Sequence, residues 1–176
     1  MKVLVTAASK HGSTDGLART IGAELELAGL DVDVRRPSEV ASIDRYDALV
    51  IGSAVYLGRW LDEARQLVDG FAEELPTKRV WLFSSGPLGD PPKPAGDPLD
   101  VARLVERSGA VEHRVFAGRL DQERLGIAER VVIASVQGPS GDFRPWPAIQ
   151  LWAREIAMSL RLDSAAAGPT DAGLVL

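Results

Sequence analysis

Three short apolar runs, Lys2 to Thr6, Ala48 to Ile51 and Arg79 to Phe83, stop abruptly at small residues, and each is followed by residues at helical spacing. Continuous apolar runs of this length suit strands buried on both faces, as in a parallel sheet. After the first run, Leu17, Ala18, Ile21, Leu25 and Ala28 recur at helical spacing until Gly29, a residue type that closes helices. Asp31 to Arg35 reads as a second strand. Trp60, Leu61, Ala64, Leu67, Val68 and Phe71 form an amphipathic stripe that ends before Pro76. Leu99, Ala102 and Val105 mark a further helix, and Arg114 to Ala117 a fifth strand. Strands alternating with helices need right-handed crossovers and helices on both faces of the sheet. The expected fold is α/β: a three-layer, doubly wound sandwich around a five-stranded parallel sheet.

The alternation weakens towards the end. Leu125 to Val136 fits an amphipathic helix, which we favour, but its VVIASV part also fits a strand. From about Pro147 to Leu160, Ile149, Trp152, Ile156 and Leu160 share one helical face. Beyond Asp163 the chain reads as a frayed, disordered tail, so a single domain over residues 1–162 is expected, with 163–176 outside it. With 45% hydrophobic residues, the 176-residue chain can bury a core without staples. It has no cysteine, which excludes disulfides, thiolate metal sites and cysteine nucleophiles and favours a cytoplasmic home. A net charge of -5 argues against a nucleic-acid partner. No stretch is apolar for long enough to be a transmembrane segment, which leaves at most peripheral membrane contact.

In an open parallel sheet, ligands bind outside the carboxyl ends of the strands, where the winding direction reverses. Three loops there are unusual. The first, Ser9, Lys10, His11, Gly12, Ser13 and Thr14, puts hydroxyls and backbone N–H groups at a helix start, a setting that suits a phosphate dianion. The plainer alternative is that Ser13 or Thr14 simply caps the helix. There is no G-x-G-x-x-G and no G-K-[ST], so classical dinucleotide and P-loop readings fail. Thr6, Ala7, Gly52 and Ser53 stand where a response regulator needs acidic residues. The second loop offers Ser53, Ala54 and Tyr56, with Tyr56 placed to stack on a flat heterocycle. Trp60 fits either that site or the core. The third loop, Ser84, Ser85, Gly86, Pro87 and Gly89, lets backbone groups approach a ring edge closely. His11 and His113 have no metal-ligand spacing, no metal or catalytic side chain is expected, and His113 is expected at the surface.

This constellation resembles the flavodoxin family, in which a Ser/Thr-rich first loop grips the phosphate of FMN and the next two loops sandwich its isoalloxazine ring. Residues 9–14 are similar to that family's T-x-T-G-x-T signature, with Ser9 for the first Thr and His11 for the second. More narrowly, YDALVIGSAVYLGRW, FAGRLD and WAREIA resemble the menaquinone-dependent protoporphyrinogen IX dehydrogenase branch, whose extra residues would here span 122–145. The resemblance implies a flavodoxin-like fold, FMN as cofactor, and redox chemistry with a partner protein, a small organic substrate or a quinone. Three classes stay open: an FMN oxidoreductase, an electron carrier without its own substrate, and a flavin-free regulatory or scaffolding module.

Overall fold

The computed structural model describes residues 1–86, 96–120 and 141–166. Five parallel strands run in the order β2-β1-β3-β5-β6: β1 (Lys2–Ala8), β2 (Asp31–Arg35), β3 (Ala48–Tyr56), β5 (Arg79–Ser85) and β6 (Glu112–Phe116). A two-residue strand, β4 (Arg59–Trp60), folds back antiparallel on β3, pairing Val55 with Trp60 and Tyr56 with Arg59. A second antiparallel pair, β7 (Arg119–Leu120) with β8 (Gly141–Asp142), lies outside the main sheet. The helices are α1 (Ser13–Leu27), α2 (Asp62–Gly70), α3 (Val101–Ser108) and α4 (Trp146–Ala166).

Alternation along each strand splits the core in two. Val3 and Val5 of β1, Val50 of β3 and Phe83 of β5 face Leu17, Ile21 and Leu25 of α1 and Ile149, Trp152, Ile156 and Leu160 of α4. Their neighbours Leu4, Leu49, Ile51, Val80 and Leu82 face Ala64, Leu67 and Val68 of α2 and Val101 and Leu104 of α3. The expected three-layer, doubly wound α/β sandwich with five parallel strands is the observed fold. Because the chain passes from β1 outward to β2 and then returns to β3, the carboxyl ends of β1 and β3 flank the switch point.

Some boundaries differ from the sequence expectation, with consequences for the site. β1 continues to Ala8, β3 to Tyr56 and β5 to Ser85, so Ser53, Ala54, Tyr56, Ser84 and Ser85 are strand residues. Trp60 belongs to β4, not to the helix that follows. In α3 the buried residues are Val101, Leu104 and Ser108. Leu99 is 74% exposed ahead of the helix, so the expected Leu99–Ala102–Val105 stripe is one register off. Helix α4 runs past Asp163 to Ala166. The Leu125–Val136 segment, most of the 122–145 insertion, the tail from residue 167, Pro87 and Gly89 lie outside the described residues.

Candidate functional site

Strand β1 delivers the first loop to the switch point. Gly12, at φ +81°, occupies the N-cap position of α1, and no side chain caps that helix. The cap reading of Ser13 and Thr14 is thereby replaced: Ser13 Oγ accepts a hydrogen bond from the Arg119 backbone N–H at 3.0 Å, and Thr14 is buried. The Ser9 hydroxyl is buried and has no hydrogen-bond partner. An unmatched buried hydroxyl costs about 1–3 kcal/mol, and the first N–H groups of any helix lack intrahelical acceptors at the positive end of its dipole. One oxygen-rich anion answers both deficits. Ser9, Lys10, His11, Gly12, Ser13 and Thr14 line a cleft of ≈ 540 Å³, counting its open mouth, together with Ala54, Tyr56, Arg119 and Leu120.

The second loop is a tight hairpin. Leu57 and Gly58 make its turn with φ of 51° and 73°, the two positive values that a type I′ turn requires. Leucine in that conformation costs roughly 1–2 kcal/mol, yet its side chain is left 83% exposed. The turn brings Tyr56 to the cleft wall, where the Lys10 ammonium lies 5.2 Å from its ring centroid and the His11 ring 6.4 Å away. The first and second loops therefore share one wall.

The remaining sequence-selected residues sit deeper. Ser53, Ser84 and Ser85 are buried. Ser53 Oγ donates to the Ala54 carbonyl (2.8 Å) and accepts from the Leu61 N–H (2.9 Å). Ser84 Oγ accepts from the Trp60 indole N–H at 2.7 Å and lies 2.8 Å from His113 Nε2. The Trp60 backbone N–H donates to the Asp100 carboxylate at 3.2 Å. Gly86, immediately after β5, lies so close to β3 that an added Cβ would be 3.3 Å from the Val55 carbonyl oxygen. His113 is not at the surface: its side chain is 7% exposed, and Nδ1 lies 3.2 Å from Asp97 Oδ1. Burial holds its pKa below the ordinary histidine value, although Asp97 and Glu112 pull the other way.

Arg119, Leu120 and Arg144 were not selected from sequence. The Arg144 guanidinium is paired with Asp142 (2.6 Å), stacks 4.3 Å from the Trp146 ring centroid and donates to the Ser13 carbonyl at 3.3 Å. This pairing, with the hydrogen bonds from Arg144 first, holds the Asp142 carboxyl below its ordinary range. The approach depends on Gly16, where a Cβ would meet Arg144 Nη1 at 2.5 Å. Local spacing carries no trace of such a clamp, since its partners lie more than a hundred residues apart. Among the described residues there is no cluster of His, Asp and Glu able to hold a metal ion, and no helix is long and apolar enough to cross a membrane.

The sequence profile of a flavodoxin domain family matches residues 4–144. No curated protein matches the chain by sequence. Among solved structures, a flavodoxin from the domain Archaea superposes with a TM-score of 0.60 at 17% identity, over 92% of this chain and 99% of that one. A cysteine-to-serine mutant of flavodoxin from Pseudomonas aeruginosa gives 0.59 at 20% identity, over 92% and 99%. The rubredoxin oxygen:oxidoreductase of Desulfovibrio gigas gives 0.62 at 15% identity over 93% of this chain, which spans only 37% of that longer one. At these identities the superpositions speak for the fold alone.

Proposed function

The chain belongs to the flavodoxin domain family, and from that premise we propose that it is an FMN-binding redox protein whose cofactor sits over the carboxyl ends of β1, β3 and β5. The observation that carries this reading is the unpartnered, buried Ser9 hydroxyl beside an uncapped helix start in the same cleft as Tyr56. When bound, FMN supplies the electron-accepting and electron-donating chemistry itself. Ser9 donates its hydroxyl hydrogen to a phosphate oxygen, and the first-turn N–H groups from Ser13 onward point their dipoles at the same group. Gly12 keeps this turn tight, while Lys10 and Arg119 bring positive charge to the rim. Tyr56 covers a ring face, and Ala54 and Gly86 keep its edge free of bulk. His11 replaces a hydroxyl that the family signature supplies, so the loop has one hydroxyl fewer to offer the phosphate.

The finer proposal is an oxidoreductase acting on a small organic substrate of the protoporphyrinogen IX type, with a quinone as acceptor. It rests on the YDALVIGSAVYLGRW, FAGRLD and WAREIA resemblance. A second reading, an electron carrier that docks to protein partners, is favoured by Leu57 and Leu99 at the rim, 83% and 74% exposed and joined through the Leu99 N–H to Gly58 carbonyl bond.

The first experiment is an absorbance spectrum of purified protein with and without added FMN. A yellow protein, or one that becomes yellow and binds FMN more tightly than riboflavin, is the expected result; no binding of either overturns the proposal. Anaerobic addition of protoporphyrinogen IX then separates the two finer readings. Bleaching of the flavin supports the dehydrogenase, and an unchanged spectrum supports the carrier.

A further inference from the structure

Behind the Tyr56 hairpin lies a hydrogen-bonded chain with no part in holding phosphate: Trp60, Ser84 and His113 are buried, and the chain ends on the exposed carboxylate of Asp97. Its proton order follows from donor chemistry. An indole N–H only donates, so Ser84 Oγ accepts from Trp60 at 2.7 Å. The serine hydrogen is then available to His113 Nε2 at 2.8 Å, which makes that nitrogen the lone-pair side. The remaining imidazole proton belongs on Nδ1, facing Asp97 Oδ1 at 3.2 Å. Each member sits on a different element: Trp60 on β4, Ser84 on β5, His113 on β6 and Asp97 on the segment that enters α3.

This order requires a neutral imidazole. If Nε2 also carried a hydrogen, it and the Trp60 N–H would both point at one oxygen, and the serine hydrogen would need another acceptor inside the core. Asp97 faces the ring from the segment before α3, Glu112 and Arg114 flank it on its own strand, and β5 offers it Ser84. Asp100 and Arg65 lie on the far side of Trp60, where Asp100 holds the Trp60 backbone N–H. Trp60 is 2% exposed, and its backbone pairs with Val55 on the strand that ends in Tyr56.

We propose that His113 is a positioning residue: in its neutral form it fixes Ser84 and Trp60, and through them the hairpin that presents Tyr56 to the cleft, and protonation releases that grip. The inference rests on the FMN reading only for its last link. Burial lowers the His113 pKa, so the neutral form persists to lower pH than in an ordinary histidine, and further acidification protonates it.

The test has two arms, each run from about pH 8 to about pH 5, across the imidazole titration. In the first, the Trp60 indole N–H resonance is followed in isotope-labelled protein without flavin, identified by its loss in Trp60→Phe. His113→Gln can offer an amide oxygen near the Nε2 position and does not titrate. In the native sequence the resonance should shift, and its solvent exchange accelerate about tenfold beyond the ordinary base-catalysed trend, as the imidazole protonates. In His113→Gln neither should happen. A resonance indifferent to His113 overturns the chain, and Ser84→Ala, which removes the acceptor, supplies the same comparison if His113→Gln does not fold. The second arm measures the FMN dissociation constant. Every other titrating group is common to both proteins, so the difference reports His113, and the native protein should weaken about tenfold more on acidification than His113→Gln. Equal profiles in the two proteins overturn the link from Trp60 to the flavin. If neither protein binds FMN, the FMN reading falls, and the indole arm still decides the chain.

Discussion

Two groups of serines stand near the same edge of the sheet, and they are opposite in kind. In the first loop, Ser9 keeps a buried hydroxyl without a partner, and α1 begins without a side-chain cap. At the ends of β3 and β5, Ser53 and Ser84 are joined to Leu61, Trp60 and His113. Both groups read alike in sequence, as small polar residues after an apolar run. The distinction is one of satisfaction. Hydroxyls that the protein itself completes are part of its framework, whereas a hydroxyl left incomplete at a cleft is open to a ligand or a water.

Each group can be broken separately, and the outcomes should diverge. Trp60→Ala removes a large buried ring from the completed group and should lower unfolding free energy by about 3–5 kcal/mol, measured by urea denaturation. Ser9→Ala should act on the ligand instead. Loss of a hydrogen bond to a charged phosphate should weaken FMN binding by about 1.5–3 kcal/mol, seen by titration calorimetry. Its stability without flavin should be unchanged or slightly raised, since the deleted hydroxyl had no partner. Ser84→Ala, by contrast, should cost about 1–3 kcal/mol of stability even without flavin, because it strands the Trp60 N–H. If Ser9→Ala proved the more destabilising of the two serine variants, the contrast between the groups would be wrong.

The smallest effect is electrostatic. His113 has a lowered folded-state pKa, so the unfolded chain binds its proton first on acidification. The contribution of its neutral form is complete above the ordinary histidine pKa and is lost as pH falls from there through the folded-state value. Asp142 and Asp69, lowered by arginine partners, and Glu112, whose burial is outweighed by hydrogen bonds from Arg114 and Trp152, lose their contributions only in the more acidic carboxylate range. Urea midpoints should therefore fall in two separate steps on acidification, with only the upper one missing in His113→Gln.

Much of the architecture was legible because it is written locally. The bounds of β2 are those expected from its alternating valines, and Gly29, at φ +83°, closes α1 with the Leu30 N–H reaching the Leu25 carbonyl at 3.2 Å. What local patterns could not show depends on distant pairing. β4 is two residues long and exists only because β3 runs on to Tyr56 beside it. The stripe chosen for α3 slipped because Leu99 looks like a core residue but is 74% exposed, its backbone tied to Gly58. His113 was expected outside because a polar residue near a strand start is usually solvated; Ser84 and Asp97, 29 and 16 positions earlier, supply what lets it stay inside. In the site, the first loop and Tyr56 were visible from residue type and position, but Arg119 and Arg144 were not.

The clamp from Arg144 to Ser13 sets an order of events during synthesis. The first loop emerges early, but two of the groups that pin it, the Arg119 backbone and the Arg144 guanidinium, come 106 and 131 positions later. Contacts this remote carry the greatest loop-closure entropy and form late. A ribosome-bound intermediate can thus own the first βα unit and still lack the wall that shapes its pocket, so the finished cleft belongs to the closing moments of folding.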